Sequence, residues 1–169
     1  MNKIVVCVLM GLVFIGCQPK EEDNAATSGN NVAMQRKDAS RKLTSQAIAM
    51  LGQKNFQAAV TSLDAAIKFD PSNQDPYLLL GQILIKSGEN AHAMEFLNNA
   101  VKNFPDNGML FYMLSIVNKL ENKKLPAVLA ARRSFEIFKN AKDDINAQNS
   151  AVLLKQIIDT PDAPDTNAK

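Results

Sequence analysis

At 169 residues, 46% of them hydrophobic and 21% charged, the chain can build one modest domain or a short repeat array, but hardly two independent cores. Nineteen Lys and Arg against 17 Asp and Glu leave a formal charge of only +2, without the one-sided basic excess of a nucleic-acid binder. The two cysteines, Cys7 and Cys17, both precede Gln18, so the body of the chain has no disulfide framework and no cysteine ligands for zinc, and packing alone must hold it together.

The N-terminus reads as an address. Lys3 supplies a positive start, residues 4–15 form an apolar run interrupted only by Gly11, and polar sequence begins abruptly after Cys17. The run falls well short of the roughly 20 residues that cross a bilayer, so residues 1–16 are expected to be a signal peptide. Phe14-Ile15-Gly16-Cys17 resembles the bacterial lipobox, although Phe14 and Ile15 stand where that motif usually has Leu and a small residue. The resemblance implies lipidation of Cys17, cleavage just before it, and a membrane as one partner, held by acyl chains at about 0.8 kcal/mol per buried methylene. An ordinary secretory signal with an incidental cysteine is the alternative. Gln18 after the cysteine, by the same resemblance, points to the outer membrane of a bacterial envelope, facing the periplasm. Residues 17–38 are rich in charge, Asn and Ser and almost free of apolar residues before Val32, and are expected to be a flexible tether.

The body of the chain has a period. Segments 40–73 and 74–107 align without a gap, with Ala59, Leu63, Ala66 and Pro71 of the first opposite Ala93, Leu97, Ala100 and Pro105 of the second. Phe69 and Phe104 break the register by one place. A looser copy, 108–141, keeps Phe111, Leu114, Ser115, Ala127, Ala131 and Ser134, but has Asn118 at a large apolar place and Lys139 where proline is expected. Tyr77, Leu80, Gly81, Leu84, Ala93, Leu97, Ala100 and Pro105 occupy the places of the tetratricopeptide pattern, and over about 100 residues the chain resembles that repeat family. The resemblance implies an all-α, right-handed helical solenoid across 39–159. Small residues at Ala47, Gly81 and Ser115 facing Ala59, Ala93 and Ala127 would let paired helices approach closely. Pro126 fits only in the first turn of its helix. Residues 143–159, with apolar residues at helical spacing, are expected to cap the three repeats as a seventh helix, and 160–169 to be a disordered tail.

Reactive chemistry is not legible. His92 is the lone histidine, in a polar patch at a helix start, and it has no second ligand at i+4. There is no phosphate-binding glycine series, and the acidic doublet Asp143-Asp144 is explained by a helix dipole. No cofactor, metal, small-molecule substrate, nucleic acid or catalytic residue is therefore expected. The tetratricopeptide resemblance places a concave groove along the first helices of the repeats. Thr44, Ile48 and Leu51, Leu78, Gln82 and Ile85, and Tyr112, Ile116 and Lys119 share helical stripes there that packing does not use. The stripe is apolar, which suits a partner peptide or amphipathic helix, unless the cap or the tether folds over it as core. The polar and basic set by which some family members clamp a terminal carboxylate is missing. The expected function is thus a membrane-anchored protein-interaction module, a scaffold or assembly factor for an envelope complex. A second possibility is a surface adaptor acting through the basic third repeat, with Lys119, Lys123, Lys124, Arg132, Arg133, Lys139 and Lys142.

Overall fold

A computed structural model of the chain describes residues 24–161. The expected signal peptide, Cys17 and residues 162–169 lie outside the described residues. Seven helices follow one another: α1 (Asn24–Gly52), α2 (Phe56–Phe69), α3 (Asp75–Lys86), α4 (Asn90–Asn103), α5 (Gly108–Leu120), α6 (Lys124–Asn140) and α7 (Asp144–Asp159). Each packs against the next, and α3 also packs against α5, so the helices stack in chain order into the expected solenoid.

The period becomes a set of buried ladders. Ala59, Ala93 and Ala127 are fully buried, as are Leu63, Leu97 and Ala131, and Ala66, Ala100 and Ser134. Opposite them stand Ala47, Gly81 and Ser115, also buried. At Gly81 the reason for a small residue is metric: a Cβ there would lie 3.0 Å from Leu97 Cδ2 and 3.4 Å from Met113 Cε, inside ordinary carbon contact. Helices α3, α4 and α5 meet at that point.

Turns recur on the same spacing. Lys54, Gly88 and Asn122 each take the left-handed conformation (φ 59°, 78° and 56°) between the two helices of a repeat. In each turn, this residue and the one after it donate amides to carbonyls of the helix just ended, as Gly88 does to Ile85 and Glu89 to Leu84. Only the second copy places glycine at this position, the residue for which that conformation carries no steric cost. Between repeats the chain passes through Pro71 and Pro105, and an asparagine closes each of the first two copies onto its own start. Asn73 Nδ2 donates to Ser40 Oγ at 3.1 Å and Asn107 Nδ2 to Gln74 Oε1 at 2.6 Å. Asn55, Asn107 and Asp143 cap α2, α5 and α7 by accepting backbone amides, and Pro76 and Pro126 sit in first turns, where no amide is required of them.

The third copy departs from this where its sequence does. With Lys139 in place of proline nothing stops the helix, and α6 runs on to Asn140. It then turns into α7 through a left-handed residue, Lys142 (φ 59°), with the hydrogen bonds of an intra-repeat turn. Ala141 has no side-chain amide to close the copy. A buried hydroxyl ties these helices instead: Ser134 Oγ donates to the Gly108 carbonyl at 2.9 Å and lies 2.9 Å from Ser150 Oγ of α7. Asn118, at the apolar place, is buried yet satisfied, since its Nδ2 donates to the Leu114 carbonyl at 2.8 Å. Ser115 Oγ, by contrast, is buried without a partner.

One expectation is corrected. Residues 24–38 are not an irregular tether but the first turns of α1. Every side chain from Asn30 to Asp38 is nevertheless exposed, and burial begins at Ser40. The polar composition thus governs burial, while backbone conformation follows the packed segment behind it. Once 40–52 is helical, each residue added in front contributes a hydrogen bond without a new nucleation cost, and Ala33, Met34, Gln35, Arg36 and Lys37 are all good helix formers.

Candidate peptide-binding groove

The nine stripe residues do not share one environment. Thr44 is only 5% exposed, and its hydroxyl donates to the Ser40 carbonyl at 2.8 Å, so it belongs to the core rather than to a groove. The stripe reading fails there because Ser40 and Thr44 join Ala47 on the packed face of α1, whereas their counterparts in the second copy, Gln74 and Leu78, are exposed and half-buried. Ile48 is 54% exposed and Gln82 is exposed. Leu51, Leu78 and Ile85 are half-buried, Leu51 against the apolar cluster that joins the first two repeats and Leu78 and Ile85 against the one that joins the second and third.

In the third repeat the cap intervenes. Tyr112 and Ile116 are half-buried and pack against the cluster of Ala127, Ala131, Leu153 and Ile157, the last two from α7. Lys119 Nζ reaches Gln156 Oε1 of the same helix at 3.5 Å. The stripe is open over the first two repeats and covered over the third.

Where it is open, it deepens into a pocket of about 410 Å³ between the first two repeats. Leu51 lies in the last turn of α1, Phe56 opens α2, and Leu79 and Ile83 lie one turn apart on α3, so four apolar side chains from three helices converge, with Gln82 and Lys86 beside them. Phe56 is 56% exposed, a large aromatic surface left in water. Leu51 and Gln82 were legible as site residues, but Phe56, Leu79, Ile83 and Lys86 were not. Leu79 and Ile83 belong to neither the packing pattern nor the stripe of α3, whereas an aromatic directly after the polar break Gln53-Lys54-Asn55 was the available signal for Phe56.

Lys86 is the one charged residue that lines the pocket. The nearest acid in sequence, Glu89, faces other partners: Ser87 Oγ donates to its carboxylate at 2.9 Å, and His92 Nδ1 lies 3.2 Å from it. These two hydrogen bonds, that of His92 foremost, hold the Glu89 carboxyl below its usual range. The basic residues of the third repeat are largely engaged within the fold. Arg133 reaches the Pro105 carbonyl at 3.2 Å and Asp106 at 3.4 Å and lies over the Phe111 ring, Lys139 pairs with Asp144 at 3.1 Å, and Lys124 donates to the Thr160 carbonyl at 2.8 Å. Among the described residues, no three His, Cys, Asp or Glu side chains gather as a metal site, and no helix is long and apolar enough to cross a membrane.

Residues 50–114, which span the pocket and the first two inter-repeat junctions, match the family model of the tetratricopeptide repeat. That segment is tetratricopeptide repeat. Similar solved structures include the tetratricopeptide-repeat domain of Arabidopsis OM64, at 16% identity and a TM-score of 0.60, covering 72% of this chain and 98% of that one. Another is the first such domain of Spaghetti bound to an HSP90 peptide, at 15% identity and a TM-score of 0.62, covering 73% and 96%. At these identities the likeness is one of fold. Among curated relatives, bacteriophage adsorption protein A of Escherichia coli strain K12 is 31% identical over 106 residues, which is 63% of this chain. The match spans only 10% of that relative's length.

Proposed function

We propose that this chain is a protein-binding module, anchored to a bacterial envelope membrane through Cys17, that holds a partner segment on the open part of its groove. The observation that carries the reading is the partly exposed apolar surface of Ile48, Leu51 and Phe56, of which Leu51 and Phe56 line a cavity of about 410 Å³ with the Gln82 amide at its wall. Packing does not require that exposure, and an apolar groove with few polar groups is what an amphipathic helix or extended peptide buries itself in. A peptide in the structure of the Spaghetti domain is consistent with such use of the fold. A scaffold or assembly role in an envelope complex extends the same reading, supported by a signal-like N-terminus and by likeness to a bacterial protein named for phage adsorption.

Ile48→Glu combined with Phe56→Glu tests it. Both side chains are more than half exposed, so circular dichroism and melting should stay near wild type, while capture of the partner from native membranes should fall by tenfold or more, about 1.4 kcal/mol. Undiminished capture by a folded double variant would refute the groove. A Cys17→Ser chain should lose membrane fractionation; unchanged fractionation and processing would refute the anchor.

A further inference from the structure

From the pocket at the junction of the first two repeats we infer the chemistry of the segment that the groove selects: a bulky apolar side chain with a carboxylate beside it. The inference rests on the groove reading above and narrows it.

Shape supplies the first half. The cavity of about 410 Å³ is walled by Leu51, Phe56, Leu79 and Ile83, which offer no hydrogen-bonding groups, so a polar side chain placed among them would lose its water without compensation. Its volume falls in the range of sites that enclose compact ligands, so one leucine, methionine or phenylalanine with its neighbouring backbone is a fitting occupant. Phe56 opens α2 directly behind the left-handed turn at Lys54, so its position is set by a short, hydrogen-bonded connection.

Charge supplies the second half. Lys86 is the sole charged group of the lining, in the last turn of α3. Among the described residues no carboxylate pairs with it, since Glu89 is held by Ser87 and His92 and Asp75 lies at the opposite end of the same helix. Lys54, in the turn after α1, is a second exposed cation on the sequence flank of Leu51 and Phe56. An ammonium at the mouth of an apolar cavity attracts a carboxylate and opposes another cation, and the cavity's low polarity strengthens both effects. Gln82 adds a neutral amide able to bond the backbone of a docked segment. A ligand of uniform charge or without an apolar anchor would satisfy only half of the site.

The test uses the full chain and three fluorescein-labelled twelve-residue peptides: one with a central Phe flanked by Glu, one with the same Phe flanked by Lys, and one with a central Ser flanked by Glu. Fluorescence anisotropy should show the Phe/Glu peptide binding at least tenfold more tightly than either of the others. Lys86→Glu should reverse the preference between the two Phe peptides, and Phe56→Ser should weaken the Phe/Glu peptide by tenfold or more with melting unchanged. Equal binding of the two Phe peptides, or a preference untouched by Lys86→Glu, overturns the inference. If Ile48→Glu abolishes binding of the Phe/Glu peptide while Phe56→Ser and Lys86→Glu leave it intact, the groove stands and the pocket assignment falls. If no variant alters binding, both fall. A concentration-dependent dimer in sedimentation, dissolved by Phe56→Ser, would also overturn the inference by making a second copy of the chain the occupant.

Discussion

Gly81→Leu tests whether the repeats are held at the spacing their period implies. The site has three walls, with Leu97 of α4 and Met113 of α5 facing α3. The first added carbon already stands 3.0 Å from Leu97 Cδ2, about half an ångström inside a comfortable contact, and leucine brings three more carbons into the same space. Overfilling a packed core costs about 1–3 kcal/mol, and with both neighbours buried the upper end applies. Leucine returns about 1 kcal/mol of helix propensity relative to glycine, leaving a net loss of about 2 kcal/mol. Gly81→Ala meets only the ends of two side chains, Leu97 and Met113, and should remain within about 1 kcal/mol of wild type. Urea unfolding followed by far-ultraviolet circular dichroism reads both. Leu97→Ala alone should cost about 2–5 kcal/mol, and in combination with Gly81→Leu the loss should fall short of the sum by about 1 kcal/mol or more, because each change relieves the other. A wild-type midpoint for Gly81→Leu, or strict additivity with Leu97→Ala, would show that α3 and α4 do not pack through this contact.

Other sites yield sharper signs. Ser115 Oγ is buried and unpartnered, so Ser115→Ala should raise stability by about 1 kcal/mol in the same assay, a direction opposite to that of most core changes. Lys54 holds a left-handed conformation that glycine holds freely, and Lys54→Gly should stabilise by about 0.5–1 kcal/mol, whereas Gly88→Ala, at the equivalent turn, should destabilise. Asp143 caps α7 through hydrogen bonds from the Asn146 side chain and backbone, which hold its carboxyl below the usual range. A group lowered on folding contributes above its unfolded pKa and loses that contribution as pH falls through the folded one. Amide exchange at Asn146, corrected for intrinsic rate, should therefore quicken on acidification below the ordinary aspartate range, while that at Leu110, capped by the neutral Asn107, should not; Asp143→Asn should remove the difference.

The fold was readable because its signals are spatial rules repeated three times. Ala59, Ala93 and Ala127 are alike since each sits where two helix backbones approach, and no side-chain chemistry is needed to see that. The out-of-register aromatics are explained by different tasks: Phe104 packs edge-on to Tyr77 with centroids 5.0 Å apart, whereas Phe69 is nearly half exposed. Site residues were harder to read. Helical spacing gives a face, but whether a face is open depends on what lies across it: α7 covers Tyr112 and Ile116, Ser40 and Ala47 draw Thr44 inward, and only the joining of two repeats turns Leu79 and Ile83 into walls of a cavity.

The helical lead-in of α1 changes how distance is controlled. Residues 24–39 as a helix measure about 24 Å at 1.5 Å per residue. A flexible coil of the same sixteen residues would have nearly the same mean reach, about 22 Å, but spread over everything from touching to fully extended. A strut and a leash of equal average length differ in variance: the strut fixes how far the groove stands from whatever precedes Asn24, and turns the groove with it as a unit. For a partner fixed at one height, that concentrates encounters; for partners at other heights, it forbids them.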